Sequence, residues 1–218
     1  HGGPVDGYGT AATKGLIEAY ESPSAAKIPD KYKDADHKWT GVYVGVLGFC
    51  SNKTVLKKLG AEAPKSWDDL LNPAFKGQVS TAHPSTSGTA FTTLWTQNVR
   101  LGGQDQALDY MKKLHSNVLQ YTKSGTAPGQ IAGRGEVAVG LVFSHDCVKY
   151  QEEGMSDLQV SFPKEGTGYE VGGGALVAKS KHSEAAKKYI DWAISADAQN
   201  IGQTVGSYQI PTNPDAKS

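Results

Sequence analysis

Short runs rich in β-branched and aromatic residues alternate with amphipathic helical segments along almost the whole chain of 218 residues. The clearest strand is predicted over Gly41–Cys50, and further strands over Lys76–Ala82 and Val137–Phe143. Helical patterns follow, among them Lys53–Leu59 and Ser183–Ser195. This alternation predicts an α/β fold with mainly parallel sheets and flanking helices, rather than a β-sandwich or a helical bundle.

The charges of the chain balance, with 22 basic and 22 acidic residues. A chain without net charge has no long-range field to attract a polyanion, and no stripe of Lys and Arg interleaves with aromatic residues, so we expect no nucleic-acid partner. A bilayer-spanning helix needs about 20 apolar residues in succession. The longest apolar runs, such as Val42–Cys50, have the length of a strand, and we therefore expect no direct membrane insertion.

Cys50 and Cys147 are the only cysteines. Two thiols exclude a metal site built from a cluster of cysteines. In an oxidising compartment the pair could form one disulfide if their strands meet, whereas two buried free thiols are the alternative. The sequence leaves both possibilities open.

Signatures of catalysis are missing from the sequence. It contains neither a Gly-x-Ser-x-Gly elbow, nor a His-Glu-x-x-His zinc motif, nor a phosphate-binding Gly-x-x-x-x-Gly-Lys loop, and its six histidines are scattered singly. A hydrolase that uses Ser85 with His145 and Asp146 is the alternative, without further support. We therefore predict that the protein is not an enzyme and needs no cofactor and no resident metal.

One segment carries the pattern of an anion site. A predicted strand runs into a polar turn and then into an apolar pattern with helical spacing; the turn and helix start contain Ser85, Thr86, Ser87, Gly88 and Thr89. Free N–H groups at a helix start, hydroxyl donors and a glycine that admits an oxyanion together favour anion binding. The alternative is an ordinary helix N-cap, which serine and threonine often form.

A second candidate follows the predicted strand Val137–Phe143, where Ser144, His145 and Asp146 stand at its carboxyl end. Loops at the carboxyl ends of parallel strands are the usual place for ligands in α/β folds. His145 and Asp146 can donate to a phosphate and accept from hydroxyl or ammonium groups. Alternatively, Asp146 only caps a helix from Cys147 to Glu153.

Two weaker candidates complete the predicted site. Glu170 lies beside a glycine-rich stretch and could accept hydrogen bonds from ligand hydroxyls, or it is simply an exposed strand residue. Ser124 and Gly125 belong to a polar loop that opens another predicted helix.

Several segments, in order along the chain, together resemble the type II periplasmic solute-binding proteins of ABC importers, in the branch that holds ferric-ion, hexose-phosphate and phosphonate receptors. These segments are His1–Gly3, Gly15–Tyr20, Trp39–Tyr43, Pro64–Leu70, Asn72–Gly77, Gly133–Ala138, Gly172–Ala175 and Ala193–Ser195 with Gln199. Their order and spacing cover nearly the whole chain.

The resemblance implies a two-lobed protein. Residues 1–45 would be part of an incomplete lobe one, residues 46–167 lobe two, and residues 168–218 the return segment of lobe one, with hinges near Val46 and Val171. It also implies an N-terminally truncated chain whose signal peptide has been removed. The expected location is the periplasm, or the cell exterior with a membrane anchor in a Gram-positive organism, and the expected partner is a membrane permease.

The resemblance further implies a small phosphorylated or phosphonate solute, of hexose-phosphate or aminophosphonate type, held in an interlobe cleft. Its anionic group would lie at Ser85–Thr89 and its polar remainder at His145, Asp146 and Glu170. Ferric-ion members carry adjacent tyrosines where this chain has His145 and Asp146, so a ferric-ion receptor is the runner-up. A receptor for polyamines or other cationic solutes is a third possibility, motivated by the two carboxylates.

Overall fold

The computed structural model describes residues 1–217; Ser218, the last residue of the predicted return segment, lies outside the described residues. The helices are α1 (Asp6–Thr13), α2 (Lys53–Leu59), α3 (Gly88–Leu101), α4 (Gln104–His115), α5 (Ala127–Gly133), α6 (Ser144–Glu152), α7 (Ser183–Ala193) and α8 (Ala196–Thr204). The strands are β1 (Ile17–Glu18), β2 (Thr40–Asn52), β3 (Val79–Ala82), β4 (Val118–Thr122), β5 (Val139–Phe143), β6 (Leu158–Ser161), β7 (Tyr169–Gly174), β8 (Leu176–Val177) and β9 (Ile210–Pro211). Four 3₁₀ turns span Pro23–Lys27, Asp30–Tyr32, Asp68–Leu71 and Pro73–Phe75.

The chain divides into two compact units. Unit 1 comprises His1–Gly45 and Glu170–Ser218, and unit 2 comprises Val46–Tyr169. Strands β2 and β7 contribute residues to both. The assignment of these units to the two lobes of a binding protein stays a prediction.

Unit 2 is built on a mixed sheet in which the strands lie in the order β4-β3-β5-β2-β6. Strand β3 pairs in parallel with β4 and with β5, whereas β2 runs antiparallel to β5 and to β6. Helices flank the sheet, which confirms the predicted α/β class. Because β3, β4 and β5 are parallel, their carboxyl ends lie at one edge of the sheet.

The core of unit 2 lies on both faces of this sheet. Successive residues of a strand point to opposite faces. Phe49 of β2 accordingly packs with Trp67 and Leu114 in one apolar cluster, while Cys50 packs with Val142 and Tyr150 in another. A sheet covered on both sides gives a rigid base to the segments that follow the carboxyl ends of β3, β4 and β5.

Unit 1 has a smaller apolar cluster, whose buried members are Ala25, Ile28 and Ile194. Its first residues lie along β7: the N–H of Val5 donates to the carbonyl of Val171, and Pro4 forms a bridge with Gly172. Helices α1 and α8 contain no buried residue in the part of the chain that the structure describes.

A disulfide joins Cys50 in β2 to Cys147 in α6, with 5.6 Å between the Cα atoms. The structure thereby decides between the two states that the sequence left open. It covalently ties the centre of the unit 2 sheet to the helix that follows β5.

Candidate functional site

Three loops of unit 2 follow β3, β4 and β5 at the shared edge of the sheet. The first contains Ser85–Thr89, the second Ser124, and the third leads directly into His145 and Asp146. Contacts tie the loops together: the Thr86 hydroxyl donates to the Lys123 carbonyl at 3.2 Å, and the Tyr150 hydroxyl of α6 donates to the Thr126 carbonyl at 3.1 Å. These contacts join the first loop to the second, and α6 to the second loop. The predicted site residues of unit 2 thus lie on loops at one edge of the sheet, and their role in binding stays a prediction.

The first loop ends in the N-terminus of α3. Ser87 is the N-cap, and its hydroxyl accepts a hydrogen bond from the N–H of Ala90 at 3.3 Å. The N–H groups of Gly88 and Thr89 lie in the first turn, where no intrahelical acceptor exists. The ordinary N-cap, which the sequence left as the alternative to an anion site, is therefore present. It leaves the N–H groups of Gly88 and Thr89 directed out of the helix start.

Two predicted hydroxyls in this loop are occupied within it. The Ser85 hydroxyl lies 2.7 Å from His83 Nδ1, and the Thr86 hydroxyl also contacts the His83 carbonyl at 3.2 Å. These contacts fix the shape of the loop. The donors left for a ligand are mainly the backbone N–H groups and the side chain of Thr89.

The second loop packs against the first at Gly125. A Cβ atom placed there would stand 2.7 Å from the Ser87 hydroxyl and closer still to the Thr89 hydroxyl. A glycine is therefore required for this approach. Beside it, the hydroxyls of Ser124 and Thr126 lie 2.9 Å apart and share a hydrogen bond, which leaves one of the two O–H groups to donate elsewhere.

The third loop places His145 and Asp146 in the first turn of α6. Their side chains are 15% and 14% exposed, and His145 Nε2 lies 3.8 Å from Asp146 Oδ1. The Phe143 ring stacks on the imidazole with 5.5 Å between ring centroids and an interplanar angle of 13°.

The alternative role for Asp146 as the cap of a helix from Cys147 to Glu153 is wrong. The helix begins three residues earlier, at Ser144, and its N-cap residue Phe143 provides no side-chain hydrogen bond. Asp146 lies inside the first turn, because the buried strand continues directly into the helix without a capping turn.

Burial controls the protonation of the pair. It lowers the pKa of His145 to about 4 and raises the pKa of Asp146 to about 6, the latter moderated by the positive charge of Lys149. At neutral pH the pair is therefore a neutral imidazole beside a carboxylate. His145 Nδ1 is buried and has no hydrogen-bond partner among residues 1–217.

Glu170 belongs to unit 1, as the second residue of β7. Burial raises its pKa, and so does the nearby charge of Asp6. The pKa of Tyr43 is also raised, mainly by burial and further by the charge of Glu170. The Tyr43 ring packs over Gly172. A role for Glu170 in ligand binding stays a prediction.

Three residues that shape the site received no role from the sequence. His83 holds Ser85, Thr126 pairs with Ser124, and Phe143 stacks on His145. An aromatic residue two positions before a histidine at a strand end is a weak signal for such stacking. The other two contacts depend on loop conformation, which the residue pattern does not reveal.

The described residues contain no group of three or more His, Cys, Asp or Glu side chains that could hold a metal ion. Over the same residues, the helices are too short or too polar for any of them to cross a membrane.

Comparisons with known proteins agree with the resemblance. Residues 7–218 match the family model described as bacterial extracellular solute-binding protein. The periplasmic binding protein AfuA from Actinobacillus pleuropneumoniae, solved with exogenous fructose-6-phosphate bound, is 40% identical, superposes with a TM-score of 0.88, and is matched over 100% of this chain and 70% of that chain. The periplasmic binding protein P5PA is 37% identical with a TM-score of 0.84, over 100% of this chain and 70% of its own.

An uncharacterized protein of Haemophilus influenzae is 40% identical over 222 residues, which cover 99% of this chain. The chain spans 64% of the length of that relative. The family match and the two structural relatives confirm the predicted type II periplasmic-binding fold, and both of these structural relatives are named as periplasmic binding proteins. The chain belongs to the bacterial extracellular solute-binding proteins.

Proposed function

We propose that the chain is the substrate-binding component of an ABC importer and that it captures a small phosphorylated solute, with a hexose phosphate as the first candidate. The observation that supports this proposal most strongly is that three loops follow the parallel strands β3, β4 and β5 at one edge of the unit 2 sheet; the first contains the start of α3 and the third the largely buried His145–Asp146 pair. The fructose-6-phosphate bound to the related AfuA supports this choice of ligand.

The phosphate would bind at the start of α3. The N–H groups of Gly88 and Thr89 can donate to its oxygens, and the dipole of a 14-residue helix favours an anion at this end. The glycine at position 125 lets the second loop approach Ser87 and Thr89 closely, and the hydrogen-bonded hydroxyls of Ser124 and Thr126 can supply one further donor. The anion would thus be held largely by neutral donors.

The polar remainder of the solute would bind at His145 and Asp146. An ionised Asp146 accepts hydrogen bonds from sugar hydroxyls, and Nε2 of the neutral His145 imidazole can donate or accept according to the tautomer, since Nδ1 is buried. A phosphate directly beside Asp146 would be repelled, so the two ends of the ligand are expected to bind in one orientation. We keep Glu170 as a predicted contact for ligand hydroxyls. In an aminophosphonate, the ammonium group would take the place of the hydroxyls at Asp146.

The proposed setting is the periplasm, where the loaded protein would deliver its solute to a membrane permease. The family supports an extracellular role, and a binding component releases its ligand unchanged. We therefore propose binding without turnover.

A thermal-shift panel tests this function. Fructose-6-phosphate should raise the melting temperature, since a ligand at 100 times its Kd adds about 2.7 kcal/mol to the stability of the folded state. Fructose and inorganic phosphate, which each offer half of the contacts, should act more weakly, and ³¹P NMR should show the ester intact. A panel in which fructose-6-phosphate has no effect and only fructose, only ferric citrate or only spermidine raises the melting temperature would contradict the proposal. 2-Aminoethylphosphonate is included in the panel because a larger rise in melting temperature with this compound than with fructose-6-phosphate would identify a phosphonate as the preferred ligand.

A further inference from the structure

The first turn of α6 carries the His145–Asp146 pair without the usual support of a helix start. Its N-cap residue Phe143 makes no side-chain hydrogen bond to the turn. Both side chains are largely removed from water, and His145 Nδ1 has no partner among residues 1–217. A desolvated imidazole and carboxyl at 3.8 Å are costly to hold together. Some other contact must keep this turn in place.

Cys147 follows Asp146 directly and closes the first turn through its disulfide to Cys50. Cys50 is a firm anchor, because it is fully buried and paired with strands on both sides, opposite Gly140 in β5 and Val160 in β6. The polypeptide thus runs up β5, turns into α6 and is bonded back to the neighbouring strand one residue after the pair.

The other polar contacts of α6 act later in the helix. The Tyr150 hydroxyl donates to the Thr126 carbonyl, and Gln151 Nε2 donates to the Leu158 carbonyl at 2.9 Å. Both lie about one helical turn beyond the pair. They keep α6 docked on unit 2 beyond the pair. Before the pair, the ladder between β2 and β5 ends at Phe143, opposite Leu47, and the disulfide is the covalent tie that follows the pair.

We propose that the Cys50–Cys147 disulfide is a positioning element for the His145–Asp146 pair. It thereby holds in place the part of the site that binds the polar remainder of the solute. Its effect on ligand affinity rests on the proposed function. Its effect on the pair itself does not.

The test compares the oxidised protein with the double variant Cys50→Ala/Cys147→Ala by histidine-labelled NMR titration, with His145 assigned from the spectrum of His145→Gln. In the oxidised protein His145 should titrate near 4. In the double variant the imidazole should gain access to water, so its pKa should rise toward 6.5, the ordinary value. The control is Leu114→Ala, which lies in the apolar cluster that contains neither cysteine and is expected to lower the melting temperature about as much as the double variant does. It should leave the pKa of His145 unchanged.

An unchanged His145 titration in the folded double variant overturns the proposal, and so does an equal change in Leu114→Ala. If the alanine pair does not fold, Cys50→Val/Cys147→Ala replaces it; failure of both to fold would assign the disulfide to folding as a whole and also overturn the proposal. In a second arm, the affinity for fructose-6-phosphate should fall about tenfold in the double variant and stay constant in the control. A wild-type protein that binds no phosphate ester refutes the proposed function, while the titration still decides the positioning.

Discussion

A largely buried imidazole and a largely buried carboxyl lie 3.8 Å apart in the first turn of α6. Mutual attraction of the charged forms would raise the pKa of His145 and lower that of Asp146. Burial acts in the opposite direction on both groups and outweighs the attraction, since the two pKa values move to about 4 and about 6. At the scale of the residue, desolvation therefore sets the charge that a ligand meets.

We expect Asp146→Asn to stabilise the protein at pH 7. The pKa of Asp146 rises from 3.8 to about 6 on folding, so its contribution to stability is present below pH 3.8 and lost as the pH rises through 6. At about 1.4 kcal/mol per pKa unit, the ionised carboxyl costs roughly 3 kcal/mol at pH 7. Urea unfolding should show the variant more stable by up to this amount at pH 7 and nearly equal to wild type at pH 3.5.

Glu62→Gln, which neutralises an exposed carboxyl of the same unit, gives the background for this comparison. His145 changes the free energy of unfolding in the opposite direction with pH, because its lowered pKa removes stability as the pH falls from 6.5 toward 4. The comparison of variant with wild type isolates Asp146. A variant that is less stable than wild type at pH 7 would contradict the account.

Gly125→Ala should weaken the binding of a phosphate ester. The added methyl group would collide with the hydroxyls of Ser87 and Thr89, and the loops would separate at the anion site. We expect at least a tenfold loss of affinity, which corresponds to about 1.4 kcal/mol, measured by calorimetry with fructose-6-phosphate. Gly9→Ala is the matched control, since a methyl group there meets nothing within 4 Å. Equal affinities of the two variants would remove Gly125 from the site.

At the level of secondary-structure elements, the start of α3 is both a capped helix end and the proposed anion site. The same type of cap occurs at α8 in unit 1, where the Ser195 hydroxyl accepts from the N–H of Ala198 at 3.2 Å. The two serines thus provide a pair in which one cap lies at the proposed anion site and the other lies outside it.

Both Ser87→Ala and Ser195→Ala should lose one capping hydrogen bond and about 1 kcal/mol of local helix stability. Only Ser87→Ala should also weaken fructose-6-phosphate binding, because it alone disturbs the turn that presents the N–H groups of Gly88 and Thr89. Hydrogen exchange of the two helices and calorimetry measure the two effects. Loss of affinity in Ser195→Ala to the same extent would show that general destabilisation explains the result.

Local patterns predicted the elements well and their assembly less well. The helix Lys53–Leu59 has the predicted bounds, and the strand expected over Val137–Phe143 begins two residues later. Periodic apolar residues carry enough information for both. The antiparallel direction of β2 beside β5 depends on tertiary pairing, which the residue pattern does not predict. The start of α6 before Asp146 was not predicted either, because the strand continues into the helix without a turn.

The candidate site was predicted in its composition but not in its contacts. A run of hydroxyl residues and glycine after a strand pointed to Ser85–Thr89, and the end of a buried strand pointed to His145 and Asp146. The approach of Gly125 to Thr89 and the bond between Cys50 and Cys147 join residues far apart in the chain. Such pairings require the fold, because one sequence gives no information on which distant loops meet.

At the scale of the whole molecule, the two units differ in the amount of core that supports them. Unit 2 has two apolar clusters, one on each side of its sheet, whereas the cluster of unit 1 contains three buried residues. Local stability follows the density of buried apolar contacts. We therefore expect the two units to open with different free energies.

Native-state hydrogen exchange tests this difference. Amides of α8, which has no buried residue in the described chain, should exchange rapidly, α7 with buried Ile190 and Ala193 should be intermediate, and β5 should be the most protected. Protection of α8 equal to that of β5 would contradict the expectation.

An amide NMR titration with fructose-6-phosphate tests whether the start of α3 holds the phosphate of a small solute. We expect saturable downfield shifts of the Gly88 and Thr89 amide protons, because new hydrogen bonds to phosphate oxygens deshield them, with smaller changes at these amides when inorganic phosphate is used. Saturable binding that leaves both amides unmoved, or no binding of the ester at all, would contradict this expectation.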